Sequence, residues 1–330
     1  MKLHIASLTF IVLILGVAAG LEAAQPVARI LDAKGKIMLK DKNGKTREAA
    51  PLDTIYLGEK ITVADDSFVV LAFRADGHLE RVKRPLEVSV GKDGCEPKTS
   101  VELVEPPAPH KKLIQGTVKA LQPKSVGGVT IVRGSPPDDA APARFEPIDG
   151  STIIGNHPKF AWSPVAKATR YEIKISAGAE KVWSKTTKKT ELEYAGEIPL
   201  KPGVEYFWEV NAGFADGGSQ HVNSGTFTPA TEEQKNRAAD LKAIAAGSEI
   251  PYLALAAGWY EENGFIPEAV GAYERLVSLR PNVAAYHFAL AHSYEKANRS
   301  QEAQKAYAKA RQLQPLPENP PLPDWQQEKD

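Results

Sequence analysis

A 34-residue echo in the C-terminal third constrains this chain more than any other feature. Tyr252, Ala257, Tyr260, Glu261, Glu268, Ala269, Tyr273 and Pro281 return as Tyr286, Ala291, Tyr294, Glu295, Glu302, Ala303, Tyr307 and Pro315. A fixed period of about 34 residues belongs to helix–turn–helix solenoids, whose units stack because none can bury its apolar face alone. The first copy predicts a helix A over about residues 252–262, a turn at Asn263-Gly264 and a helix B opened by Pro267, whose missing N–H has no intrahelical use there. Helix B ends at Pro281, and in the second copy Ser300 is the expected cap of helix B. Upstream, Thr231-Glu-Glu-Gln234 fits a capping box, followed by Ala238, Leu241 and Ala245 at helical spacing and a stop at Gly247. Such units present surfaces, so the expectation is a chain that holds something.

This pattern resembles the tetratricopeptide repeat. Ala257 and Ala291 take its close-packing position, Ala269 and Ala303 its small residue of helix B, Tyr273 and Tyr307 its aromatic, and Pro281 and Pro315 its closing proline; Leu253 and His287 stand where a Trp is common. In that family helix A lines an inner groove. The resemblance therefore implies a peptide groove built from Ala254, Gly258, Glu261 and Glu262 in the first repeat and Phe288, His292, Glu295 and Lys296 in the second. A solvated face with no ligand is the competing reading. Two repeats and a leading helix make a short array, which predicts packing against the neighbouring sandwich or another chain.

Residues 145–229 read as β structure. Tyr171, Ile173 and Ile175 alternate with Arg170, Glu172 and Lys174; Tyr206, Trp208, Val210 and Ala212 alternate with Glu205, Phe207, Glu209 and Asn211. Period two with one polar face marks half-buried antiparallel strands, and strands at this spacing predict a sandwich. The run Leu200-Lys-Pro202-Gly203-Val-Glu-Tyr206-Phe-Trp208 resembles the fibronectin type III pattern, which implies a Tyr packed against the Pro-Gly turn and Trp162 as an early core residue. Trp162 and Trp208 are read as core; Trp183, flanked by Ser184 and Lys185, stands between core and an exposed sugar-stacking surface.

Residues 25–104 also read as β, with short runs at Ile37 and Leu39, at Ile55 and Leu57, at Ile61 and Val63, at residues 68–73 and at Leu86, Val88 and Val90, separated by turns at Gly44, Asp65-Asp66 and Asp76-Gly77. The order Gly35-Lys-Ile37-Met-Leu39, Leu57-Gly58-Glu59-Lys-Ile61, Asp66-Ser67 and Asp76-Gly77 resembles the FecR-like domain of bacterial envelope proteins. That resemblance implies an envelope sensor or regulator working with a partner across the membrane. Proline-rich stretches at residues 105–112 and 134–144 read as spacers. Between them, β-like pieces at Thr117-Val118 and residues 129–132 suggest a hairpin attached to the first domain or bridging onward.

At the N-terminus one Lys precedes an unbroken apolar stretch over residues 5–19, then small residues: the layout of a secretory signal, too short for the roughly 20 residues of a spanning helix. The organisation expected is thus a signal at 1–24, a FecR-like β domain at 25–104, a proline-rich linker at 105–144, the sandwich at 145–229, helical repeats at 230–315 and a proline-rich tail at 316–330. The mature chain is expected in the periplasm or outside the cell, with no transmembrane helix. Cys95, the single cysteine, precludes an internal disulfide; it is read as a tolerated free thiol in a turn, with an intermolecular bridge as the alternative.

Lys plus Arg and Asp plus Glu both number 41, so no global field draws nucleic acid, and the basic run at 181–189 reads as a solvated face. The 7 histidines are scattered; His287 and His292 do not share a face at the spacing metal ligands need. No HExxH, GxSxG, P-loop or dinucleotide glycine motif is present. Neither a cofactor nor a catalytic constellation is expected. The reading is an exported, non-catalytic adaptor that binds an envelope protein or peptide through its repeats. Envelope sensing by the first domain and cell-wall glycan binding through exposed aromatics are the alternatives.

Overall fold

The computed structural model describes residues 25–83, 85–106, 110–122, 145–196, 198–247 and 249–314. The apolar N-terminal run, the β piece expected at 129–132, the second proline-rich stretch and the tail lie outside them.

The first region is all β: β1 (Pro26–Lys34), β2 (Ile37–Lys40), β3 (Thr46–Glu48), β4 (Thr54–Tyr56), β5 (Lys60–Val63), β6 (Phe68–Phe73), β7 (Leu79–Lys83), β8 (Leu86–Gly91), β9 (Gly94–Glu96) and β10 (Val101–Val104). They form two antiparallel five-stranded sheets, ordered β10-β7-β6-β1-β4 and β3-β2-β5-β8-β9. The alternating residues meet as expected: Ile37, Leu39, Ile61, Val63, Val88 and Val90 turn inward onto Ile30, Val69 and Phe73. Strand β1 departs from alternation. Val27 through Ala33 are all buried, Arg29 and Asp32 among them. A strand buried on both faces needs a second layer over its outer side.

Part of that layer is α1 (Lys111–Ala120), which replaces the β piece expected at Thr117-Val118. The β-branched pair suggested a strand. The wider spacing of Ile114, Thr117, Val118 and Leu121, all buried, is that of one helix face. The Thr117 hydroxyl donates to the Leu113 carbonyl at 2.8 Å, so its polar group is satisfied inside the helix. The helix lies against the Asp76-Gly77 turn. Gly77 has φ +81°, and a Cβ there would overlap the Gln115 backbone, so both conformation and space demand glycine.

Next come β11 (Phe145–Glu146), β12 (Ser151–Ile153), β13 (Lys159–Trp162), β14 (Arg170–Ala177), β15 (Glu180–Thr187), β16 (Glu191–Glu193), β17 (Tyr206–Gly213) and β18 (Ser219–Pro229). The sheet β11-β13-β16 packs on the sheet β12-β18-β17-β14-β15. Trp162 and Trp208 are core residues, and the Trp208 ring stacks on Phe145 with centroids 4.7 Å apart. The Tyr206 hydroxyl accepts the Lys201 N–H at 2.9 Å, tying the strand to the Pro-Gly turn before it.

Five helices follow: α2 (Glu232–Ala245), α3 (Ile250–Glu262), α4 (Ile266–Leu279), α5 (Ala284–Lys296) and α6 (Ser300–Leu313). The capping box at Thr231 and Gln234 forms in both directions. Ser300 does not cap α6. It is the first helical residue, and Arg299 takes the cap position with its guanidinium on Glu302 at 2.9 Å. The 34-residue echo is visible in the bonding. Tyr273 donates to Glu261 at 2.8 Å and Tyr307 to Glu295 at 2.7 Å. The hairpin turns each place one residue in the left-handed region, Gly264 at φ 74° and Asn298 at φ 58°.

The cores divide unequally. One apolar cluster runs from Leu31, Leu79, Ile114, Val118 and Leu121 straight into the helical array. The sandwich core is separate from it. No helix among the described residues is long and apolar enough to cross a membrane.

Candidate docking surface

Helix α3 is the centre of the array. Ile250 through Tyr260 are all buried, which happens only when a helix is covered on every side. Helices α2 and α4 cover its outer faces, and the Tyr260 hydroxyl bonds the Ala238 carbonyl of α2 at 2.9 Å. The inner face is covered by the chain's own N-terminal region. A Cβ on Gly258 would lie 3.4 Å from the Arg29 guanidinium and 3.5 Å from a Leu121 methyl. Ala254 beside it is also buried.

This corrects half of the expected groove. Glu262, foreseen as a peptide contact, pairs with Arg29 at 3.4 Å and accepts the Gln122 N–H at 3.0 Å. Glu261 is turned in as well. Its side chain is 6% exposed and accepts the Tyr273 hydroxyl at 2.8 Å. Burial, then the neighbouring Glu261 charge, hold the Tyr273 hydroxyl well above its ordinary pKa, so it stays a proton donor. Farther along, Arg280 reaches Asp32 at 3.3 Å and the Tyr286 hydroxyl reaches the Leu31 carbonyl at 3.4 Å. A register shift in β1 between Ile30 and Asp32 accompanies these contacts.

This seam is not fully satisfied. Arg29 Nε, Asp32 Oδ1 and Arg280 Nε are buried without a hydrogen-bond partner. Burial pushes the Asp32 carboxyl above its ordinary value, and the attraction of Arg280 does not offset it. The apolar contacts of Leu31, Val118 and Leu121 therefore supply the adhesion, and the ion pairs fix the register.

Among the described residues, none seals the inner strip of the second repeat. His292 and Lys296 have side chains 52% and 39% exposed, and both stand near the Glu261 carboxylate, at 3.8 and 3.7 Å. Glu295 accepts the Tyr307 hydroxyl and lies 3.6 Å from His292 Nδ1. Phe288 is half-buried, its ring 6.2 Å from that of Tyr307. Of the predicted residues the structure thus assembles Phe288, His292, Glu295 and Lys296, with Glu261 as a buried acidic floor, and commits Glu262 to an internal contact. Sequence reasoning missed Arg29, Leu31, Asp32, Leu121 and Arg280. The available signals were two charges inside the apolar run of β1 and the small pair Ala254 and Gly258.

Elsewhere, Trp183 is half-buried with its ring edge-on to Tyr194 at 5.3 Å. Cys95 is buried in the first β core, where its N–H donates to Glu80 at 2.7 Å, so the folded chain offers no thiol for an intermolecular bridge. A cleft of about 280 Å³ opens where α1, α2 and α3 meet, lined in part by Gln122, Glu233, Arg237, Trp259 and Asn263. Among the described residues no group of three or more His, Cys, Asp or Glu is placed to hold a metal ion.

No protein family matches the chain, and no curated protein does. Similar solved structures include FN3tt, 22% identical over 24% of this chain and 85% of that one, with a TM-score of 0.21. The fn3 domain of human collagen alpha-1(XX) chain is 16% identical over 28% of this chain and 84% of its own, with a TM-score of 0.22. A beta-1,2-glucanase from Parabacteroides distasonis is 11% identical over 88% of this chain and 49% of its own, with a TM-score of 0.21. Likenesses of this strength attach no activity to the chain.

Proposed function

We propose that this chain is an exported scaffold whose tetratricopeptide-like array docks a protein or peptide of the cell envelope through the second repeat. One observation carries the reading: equivalent positions of the two repeats have opposite fates. The inner face of the first is sealed by β1 and α1, whereas Phe288, His292, Glu295 and Lys296 remain together on an accessible strip. The strip joins a half-buried aromatic to Lys296 and His292 beside the carboxylates of Glu261 and Glu295, which suits an extended peptide of mixed charge with an apolar anchor. The fibronectin III-like sandwich and the FecR-like first domain serve as spacer and platform. The apolar N-terminal segment exports the chain to the periplasm or beyond.

Photo-crosslinking from position 292 of the mature protein in its own envelope is the test. A defined adduct, lost in a Phe288→Ala/Lys296→Glu variant that keeps its helical circular dichroism, is the expected result. An adduct pattern indistinguishable from that of a probe at Ser278, on the outer side of the array, would overturn the proposal.

A further inference from the structure

We infer that residues 25–122 and 231–314 form one discontinuous folding unit, with the sandwich inserted between its halves, and that the concave side of the array holds the N-terminal half as a non-covalent partner. This stands independently of the docking proposal, because it concerns the sealed first repeat and not the open second one.

Three observations carry it. The apolar cluster is continuous from Leu31, Ile114, Val118 and Leu121 into Leu253, Leu255 and Tyr286, while the sandwich residues cluster among themselves. The N-terminal half encloses a core of its own between its two sheets, but each half also turns an apolar surface to the other. Separation would uncover Arg29, Leu31 and Asp32 on the outer side of β1 and Ala254 and Gly258 on the inner face of α3. The two surfaces also match in shape and charge. Gly258 and Ala254 leave room for Arg29 and Leu121, the acidic Glu262 meets Arg29, and Arg280 meets Asp32. The sandwich touches the array differently, at its rim, through the Thr152 N–H on the Gly264 carbonyl at 2.8 Å and the chain junction at Ala230.

A protein whose parts are held this way should survive a cut between them. The experiment inserts a protease site between residues 123 and 144 of the full chain, cleaves it, and runs gel filtration at micromolar concentration. The expected result is co-elution of the two fragments at the size of the uncut chain. Leu121→Asp, from the α1 side, should release the N-terminal fragment, Arg29→Met should weaken the pairing on the order of 100-fold, and Gly258→Phe, from the array side, about 30-fold. Separation of the unsubstituted fragments overturns the inference. So does persistent co-elution with Leu121→Asp, whether or not Gly258→Phe retains its helical signal. Two independent calorimetric transitions for the β and helical halves of the uncut chain would overturn it as well.

Discussion

The two helical repeats share a bonding scheme and differ in their company. Offset by 34 residues, Ala254 stands where Phe288 does, Gly258 where His292 does, and Glu262 where Lys296 does. The shared residues, such as Tyr273 and Tyr307, build the hairpin itself. The differing ones record what lies against it: small and acidic where β1 and α1 press in, large and basic where nothing described covers the strip. In a repeat protein the invariant positions thus specify the unit, and the variable inner positions specify its neighbour.

Breaking the buried charge pair should separate the repeats most. Arg29→Met leaves Glu262 buried without its cation and is expected to cost about 3 kcal/mol in chemical denaturation, whereas Lys296→Met should stay within about 0.5 kcal/mol. Equal losses would erase the contrast. Filling the inner face comes next. Gly258→Phe overpacks the seam and should cost about 2 kcal/mol, while His292→Phe, at the equivalent open position, should be nearly neutral in the same assay.

The tyrosine hydroxyls give a finer comparison. Tyr273→Phe removes a donor from the buried Glu261 and should cost about 1.5 kcal/mol; Tyr307→Phe, whose partner Glu295 is more exposed, should cost about 0.5 kcal/mol. A thermal melt of each variant distinguishes them.

The smallest effect concerns the turn that seats α1. His78 sits between Asp76 at 2.5 Å and Glu80 at 3.2 Å, stacked on Phe73. Its hydrogen bond to Glu80, opposed by burial and aided by Asp76, raises its pKa above the ordinary value of about 6.5. Burial pushes the Glu80 carboxyl up, but hydrogen bonds from His78, the Cys95 N–H and Lys98 outweigh it and leave it low. A raised histidine stabilises fully below its unfolded pKa, and that contribution fades as pH rises through the folded pKa. Stability should therefore decline on the alkaline side of about pH 6.5, and His78→Gln should flatten that slope. An unchanged slope would remove His78 from the account.

Much of the fold was legible because its signals are local. The echo, the capping box and the alternation at Tyr171 and Tyr206 each depend on residues within one or two elements, and each appears at the expected place. Helix α1 was misread because a β-branched pair outweighed a spacing that spans only three turns. The groove was half misread for a different reason. What fills it, Arg29, lies 233 positions from its partner Glu262, and no periodicity in either segment announces the other. Ser300 looked like a cap because Ser favours that role, yet the Arg299–Glu302 pair occupies the helix start.

The sequestered Cys95 has a practical consequence. With its thiol shielded by the β core and discouraged from ionising by burial and by Glu80, it should ignore alkylating reagents until the first domain opens. Its labelling rate is then an intrinsic gauge of how often that domain breathes, readable by mass spectrometry without a probe being introduced.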